Sequence, residues 1–183
     1  MSKKFKCLIT EEKFEKDHLF RFVLAPNGVV CFDIDFKLSG PELIISSNPD
    51  LMIRWYNADF LGKHFNVSVD IAILREQILR QLHHKILTFI ALAKKSGKVH
   101  IGRQQVESEL KSFRKDDSLL IQAKDASQRE KFKNNKRILE LFLNSELSAC
   151  LGKEKVFYLL VTGDFADKIT SLAEIYEKFN EKK

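Results

Sequence analysis

"LTFIALAKKSGKVHIGRQQV", residues 87–106, passes from an apolar helical stretch through one glycine, a short β-prone piece and a second glycine. Its apolar residues continue a spacing of three and four that begins at Ile71 and runs through Leu74, Ile78, Leu82, Ile86, Phe89 and Ala93. That period predicts one long helix with a single face toward a core, and Asp70 is placed to cap it. Gly97 is placed to end it in a left-handed turn, with Lys94 and Lys95 in the last turn where the macrodipole favours cations. Val99, His100 and Ile101 read as a strand, and Gly102 opens a second helix expected over 103–113. Lys94, Lys95, Lys98 and Arg103 crowd around the two glycines with no acid among them. One reading is a solvated helix end. The other is a phosphate-binding edge, which needs cations together with backbone N–H groups free at a helix start.

On the C-terminal side, "SLLIQA" at 118–123 and "VFYLLV" at 156–161 read as buried strands. A helix is predicted over 125–143, opened by Asp125 or Ser127, and a closing helix over 165–179. Helices alternating with apolar strands imply a layered α/β sandwich. On the N-terminal side, residues 19–38 hold two apolar runs around Pro26-Asn27-Gly28, a hairpin signal. A short helix is expected over 48–66, with Asn48 as cap and Pro49 in the first position. This first part should be a small α+β unit, so the fold class expected is α+β followed by α/β, with domains 1–70 and 71–183.

Apolar residues make up 44% of the 183 and charged residues 31%, a composition that folds. The formal charge of +6 is unevenly divided. Residues 1–72 carry 9 Lys/Arg against 10 Asp/Glu, and residues 73–183 carry 22 against 15. Between 85 and 137 there are fourteen Lys/Arg and six Asp/Glu, with a second cluster of Arg129, Lys131, Lys133, Lys136 and Arg137 on one predicted helix. Basic character on that scale suits a nucleic-acid partner.

Cys7, Cys31 and Cys150 are scattered and odd in number, so reduced thiols and a cytoplasmic location are expected. The N-terminal residues hold no apolar run of signal-peptide length, and charges interrupt the 71–93 stretch too often for a membrane span. His83 and His84 are adjacent and point to different helix faces, without a ligand four residues on. There is no G-x-S-x-G and no Walker loop, and the acids of "GDFADKI" are explained as helix caps. No enzyme activity, metal or cofactor is expected.

Three blocks carry a resemblance: "LTFIALAKKSGKVHIGRQQV", "LLIQAKDAS" and "ELSACLGKEKVFYLLVTGD". Together they resemble the YlxQ-like bacterial branch of the kink-turn-binding ribosomal proteins, over most of 78–180. Leu92, Ala93, Gly97, Gly102, Val106, Ala123, Asp125, Ala126, Ser127, Glu146, Leu147, Gly152 and Lys153 fall in that family's register. The first part, through "KCLIT", "LFRFVLAPNGVVCFDI" and "KLSG", is similar to the YlxR domain over 4–40. That family continues with a basic G-R-G turn where this chain reads Gly40-Pro41-Glu42, so the resemblance leaves nucleic-acid contact to the second domain. Kink-turn binders also carry an Asn-Glu pair and a lysine at the helix start. Gly102-Arg103-Gln104-Gln105 keeps the glycine and one amide position, which implies general RNA binding rather than strict kink-turn recognition.

The resemblance therefore implies a small YlxR-like unit ahead of a three-layer α/β/α sandwich that docks structured RNA. Phosphates would meet Lys94, Lys95, Lys98 and Arg103. Bases would meet the backbone at Gly102 and the amides of Gln104 and Gln105, with a second contact from the loop holding Gly152, Lys153 and Lys155. Two alternatives remain open at this point: a protein-interaction adaptor on a ribosome or RNA-processing partner, and a DNA-binding regulator.

Overall fold

The computed structural model describes residues 4–48, 58–112, 117–127, 132 and 137–181. The chain is mixed α+β, with five helices and three small sheets among the described residues. Its contacts divide it into two units, Met1–Leu82 with Ile175–Lys183, and His83–Glu174. The division falls inside the long helix rather than ahead of it, and the last residues of the chain belong to the first unit.

In the first unit, β1 (Lys4–Lys6) and β2 (Lys13–Glu15) form a ribbon in which Phe5 faces Phe14. β3 (Leu19–Leu24) lies between β4 (Val30–Phe32) and β5 (Glu42–Ser46), antiparallel to both. The β3–β4 hairpin turns at Pro26-Asn27-Gly28 as expected. Gly28 has φ +79° and its N–H donates to Ala25 O at 2.9 Å, which is a type I turn closed by a left-handed glycine. Phe20, Phe22 and Phe32 pack ring against ring, with centroids 5.1–5.4 Å apart, and Phe179 joins Phe20 at 6.5 Å. Beneath Phe36, the buried Arg21 donates to Asp33 Oδ2 at 2.8 Å and to Glu42 Oε2 at 2.6 Å. Asp33 also accepts the N–H groups of Lys37 and Leu38, so one carboxylate fixes the whole 33–38 turn.

Helix α1 covers Ala58–Phe65. Of the helix expected over 48–66, residues 49–57 lie outside the described residues, Pro49 among them, and Asn48 donates its N–H to Ser46 Oγ at 3.2 Å. Helix α2, Ile71–Lys95, begins as expected: Asp70 Oδ1 accepts the N–H groups of Ala72 and Ile73 at 2.9 and 3.1 Å. Its buried stripe is Leu74, Ile78, Leu82, Ile86, Ile90 and Ala93. Ile71 and Phe89 are only half-buried, because a fourfold step from Ile86 keeps the stripe on one face and carries it to Ile90. Gln81 covers the open side of β4, donating to Phe32 O at 2.6 Å and accepting from Ile34 N–H at 3.2 Å. A side-chain amide there stands in for a neighbouring strand.

The second unit is built on a four-stranded sheet in the order β6 (Val99–Ile101), β9 (Tyr158–Thr162), β7 (Ser118–Gln122) and β8 (Ile138–Leu139). Only β7 and β8 are parallel. β7 and β9 are buried at every position, as strands covered on both faces are. Helices α3 (Arg103–Ser112), α4 (Asn144–Leu151) and α5 (Asp164–Glu181) complete the elements.

The helix expected over 125–143 is a correction. Residues 125–127 and 137–143 are not helical, and Ile138 and Leu139 pair with Leu120 and Ile121. Adjacent apolar residues there alternate into a sheet, and the helical period is carried instead by 144–151. No helix among the described residues is long and apolar enough to cross a membrane.

Candidate nucleic-acid interface

Three strands of the second unit deliver chain ends to one edge of the sheet. Ile101 pairs with Leu159 and Gln122 with Tyr158. Beyond the ladder, Gly102 N–H donates to Tyr158 O at 2.9 Å and Ala123 N–H to Phe157 O at 2.8 Å. The residues after β6, the residues after β7 and the loop before β9 therefore meet.

Gly102 caps α3 through its carbonyl, which accepts Val106 N–H at 3.0 Å. The Gly102 N–H, part of the backbone expected to meet bases, is engaged in the sheet by Tyr158 O. Gly102 sits at φ +93° and an added Cβ would meet nothing within 4 Å, so conformation rather than crowding demands glycine. Gln105 Oε1 accepts Ile101 N–H at 3.3 Å and closes the strand-to-helix turn, whereas Gln104 is exposed.

Arg103 donates through Nε to Glu107 at 2.7 Å, and its guanidinium lies 5.4 Å above the ring of Phe132. Phe132 in turn meets Tyr158 edge-on at 5.4 Å and 72°. Its backbone N–H is held at 3.2 Å by the amide of Gln122, which is 1% exposed and also donates to Glu140 at 2.5 Å.

The other expected cations lie elsewhere. Lys98 O accepts Thr162 N–H at 3.0 Å, at the opposite end of β6 from Gly102. Four steps of about 3.3 Å each separate Lys98 from Gly102 by about 13 Å. Gly97, at φ +68°, closes α2 with Lys98 N–H to Ala93 O and Gly97 N–H to Lys94 O, the paired bonds of a left-handed helix stop. Lys94 donates its ammonium to Leu151 O, at the end of α4. Gly152 ends α4 at φ +58°, which explains that glycine without a ligand. Lys94 thus meets the end of α4 beside Gly152, Lys95 and Lys98 flank Gly97 at the far end of β6, and Lys153 and Lys155 lie in the loop before β9. Lys95, Lys98, Lys153 and Lys155 are exposed.

Beside the edge, Asp125 does not open a helix at its own position. Its carboxylate accepts Asn144 N–H at 2.8 Å and Asn144 Nδ2 at 3.0 Å, and these bonds hold it below the usual carboxylate range. Glu146 Oε2 accepts Leu143 N–H at 2.8 Å, and Oε1 lies 3.2 Å from His83 Nε2. Burial pushes the His83 imidazole below its ordinary value; Glu146 opposes this, while Lys124 and His84 add to it.

Of the second basic cluster, Arg129, Lys131, Lys133 and Lys136 lie outside the described residues. Arg137 pairs with Asp167 at 2.9 Å and donates to Thr170 at 2.8 Å, which ties it to α5. The expected site omitted Lys124, which follows Ala123 at the edge, and Phe132. The lone aromatic residue within "REKFKNNKR" was the available signal, because rings interleaved with cations suit nucleic acid. Among the described residues, no three His, Cys, Asp or Glu side chains gather as a metal requires.

No family model, curated protein or solved structure matches the chain. The charge and the edge geometry carry the functional reading.

Proposed function

We propose that the chain is a non-enzymatic, cytoplasmic RNA-binding protein that docks RNA on its second unit. The observation that carries this is the end of the sheet where Gly102, opening α3, and Ala123 bond to Tyr158 and Phe157, with Arg103 over the ring of Phe132 and the exposed Lys124 and Lys155 in the adjoining segments. First-turn N–H groups of a helix lack intrahelical acceptors and favour anions, and exposed lysines beside them add the sequence-independent attraction of phosphates. The exposed Lys95, Lys98 and Lys153 extend the basic surface beyond β6. The domain division 1–70 and 71–183, the YlxR-like and kink-turn-type resemblances, and a three-layer α/β/α second domain belong to the same proposal. Complete burial of β7 and β9 supports the layered arrangement.

Gel shifts of the full chain with a structured RNA, a single-stranded RNA and a duplex DNA, each at several salt concentrations, test the reading. Preference for RNA with affinity falling as salt rises is expected. Equal or tighter binding of duplex DNA would favour a DNA-binding regulator, and absence of salt-sensitive binding a protein adaptor.

A further inference from the structure

The two outer edges of the β4–β3–β5 sheet are finished differently. On β4, Gln81 takes up the outward backbone groups of Phe32 and Ile34. On β5 the cover stops half-way. In an antiparallel ladder, residues bonded to the partner strand alternate with residues whose N–H and C=O groups turn away from it. Leu24 N–H donates to Pro41 O and Ser47 N–H to His18 O, so the alternation turns Glu42, Ile44 and Ser46 outward. Cys7 Sγ accepts the Ser46 N–H at 3.1 Å, and Leu8 N–H donates to Ile44 O at 2.9 Å. No backbone or side-chain group among the described residues takes the Ile44 N–H or the outward groups of Glu42.

The uncovered length of edge lies in a cleft of about 260 Å³ lined by described residues of the first unit. Leu8, which is 50% exposed, and half-buried Ile44 give it an apolar wall, and α1 adds His64. Glu11 and Glu42 bring carboxylates to its rim. Lys6 pairs with Glu11 at 3.3 Å, and Arg21 pairs with both Asp33 and Glu42, so two cations meet three carboxylates. The rim keeps a negative excess, and the Glu42 side chain stays 45% exposed.

Open backbone groups beside an apolar wall suit an extended peptide, which main-chain bonds hold and alternate side chains select. Beyond Ile44 the Cys7–Leu8 segment occupies the edge, so an added strand is short, about three residues or 10 Å. The carboxylate excess selects for cations. We propose that the β5 edge takes a short extended segment of a partner protein. An apolar residue of that segment lies against Leu8 and Ile44, and a Lys or Arg two positions away, on the same face, reaches Glu11 and Glu42. This docking is independent of RNA binding by the second unit.

The test uses the full chain, isotope-labelled for amide detection, and the end-blocked peptide Thr-Lys-Thr-Val-Thr-Lys-Thr, with both Lys replaced by Glu in the control peptide. Expected are slower hydrogen exchange at the Ile44 amide in the complex and about tenfold weaker binding of the control. Glu11→Lys should weaken binding of the lysine peptide about threefold. Ile44→Pro removes the outward donor at a position where an edge strand accepts proline, and should weaken it about fivefold. A melt reports whether that variant folds, and Leu8→Ser, at an exposed position, should weaken the peptide in a chain that does. No binding by about 1 mM peptide, unchanged exchange at Ile44 in the complex, or equal affinity for the two peptides overturns the proposal. Self-association of the chain that Leu8→Ser abolishes overturns it too, because the edge then belongs to a second copy.

Discussion

Single residues carry two kinds of duty here, and several expected ligand contacts turn out to be structural. Gly97 and Gly102 were both legible as special positions, but only positive φ explains why. Gly97→Ala should destabilise the chain by about 1 kcal/mol, since the left-handed cap excludes a Cβ at little cost only to glycine; urea unfolding measures it. Gly102→Val is strained for the same reason, so a binding defect in that variant would not by itself report phosphate contact. Arg21 is the strongest local dependency of the first unit. Arg21→Ala leaves the buried Asp33 without its cation and should cost about 3–5 kcal/mol, lowering the thermal midpoint markedly. The signal for Arg21 was absent from the sequence pattern, because a charged residue inside an apolar strand reads as an edge position until its two acids are seen. His83 is different again. Its proton is bound less tightly in the folded chain, so stability is complete above its ordinary pKa of 6.5 and declines as pH falls below that value. His83→Gln should flatten the denaturation midpoint between pH 7.5 and 5.5, and an unchanged slope would show that His83 does not carry the acid sensitivity in that range.

Elements with a clear period were readable, and elements formed by long-range pairing were not. Helix α2, the β3–β4 hairpin, β7, β9 and α5 follow from apolar spacing and from glycine, asparagine and aspartate at their ends. The exception is β8. Two residues carry no period of their own, and Ile138 and Leu139 become a strand only because β7 offers a parallel neighbour. That pairing, with the non-helical residues 125–127 and 140–143, overturns the predicted helix at its described residues, while Arg129, Lys131, Lys133 and Lys136 lie outside them. The same logic makes Gln81 informative, since nothing in a helical repeat marks a glutamine that will act as a strand. Gln81→Ala should expose the β4 edge, and faster amide exchange at Ile34, whose N–H it accepts, is the measurement that checks it.

At the scale of the whole molecule, the uneven charge was the most legible feature, and the placement of that charge the least. Lys94 was expected to bind phosphate, and α4 claims it through Leu151 O. If about four cations neutralise phosphates, the logarithm of single-strand affinity should fall with the logarithm of salt at a slope near −3. A titration measures that slope, and Lys95 with Lys98 replaced by Ala should flatten it by about 1 to 1.5. The order of the second sheet has a consequence for biosynthesis. β9 is the last strand to be made and lies between β6 and β7, so both must wait for it with open edges. The first unit waits longer still, because Phe179 packs on Phe20 and the carbonyls of Phe179 and Asn180 are held by Arg75. Products that lack β9 and α5 therefore leave the edges of β6 and β7 open and take Phe179 from the first unit, which invites aggregation.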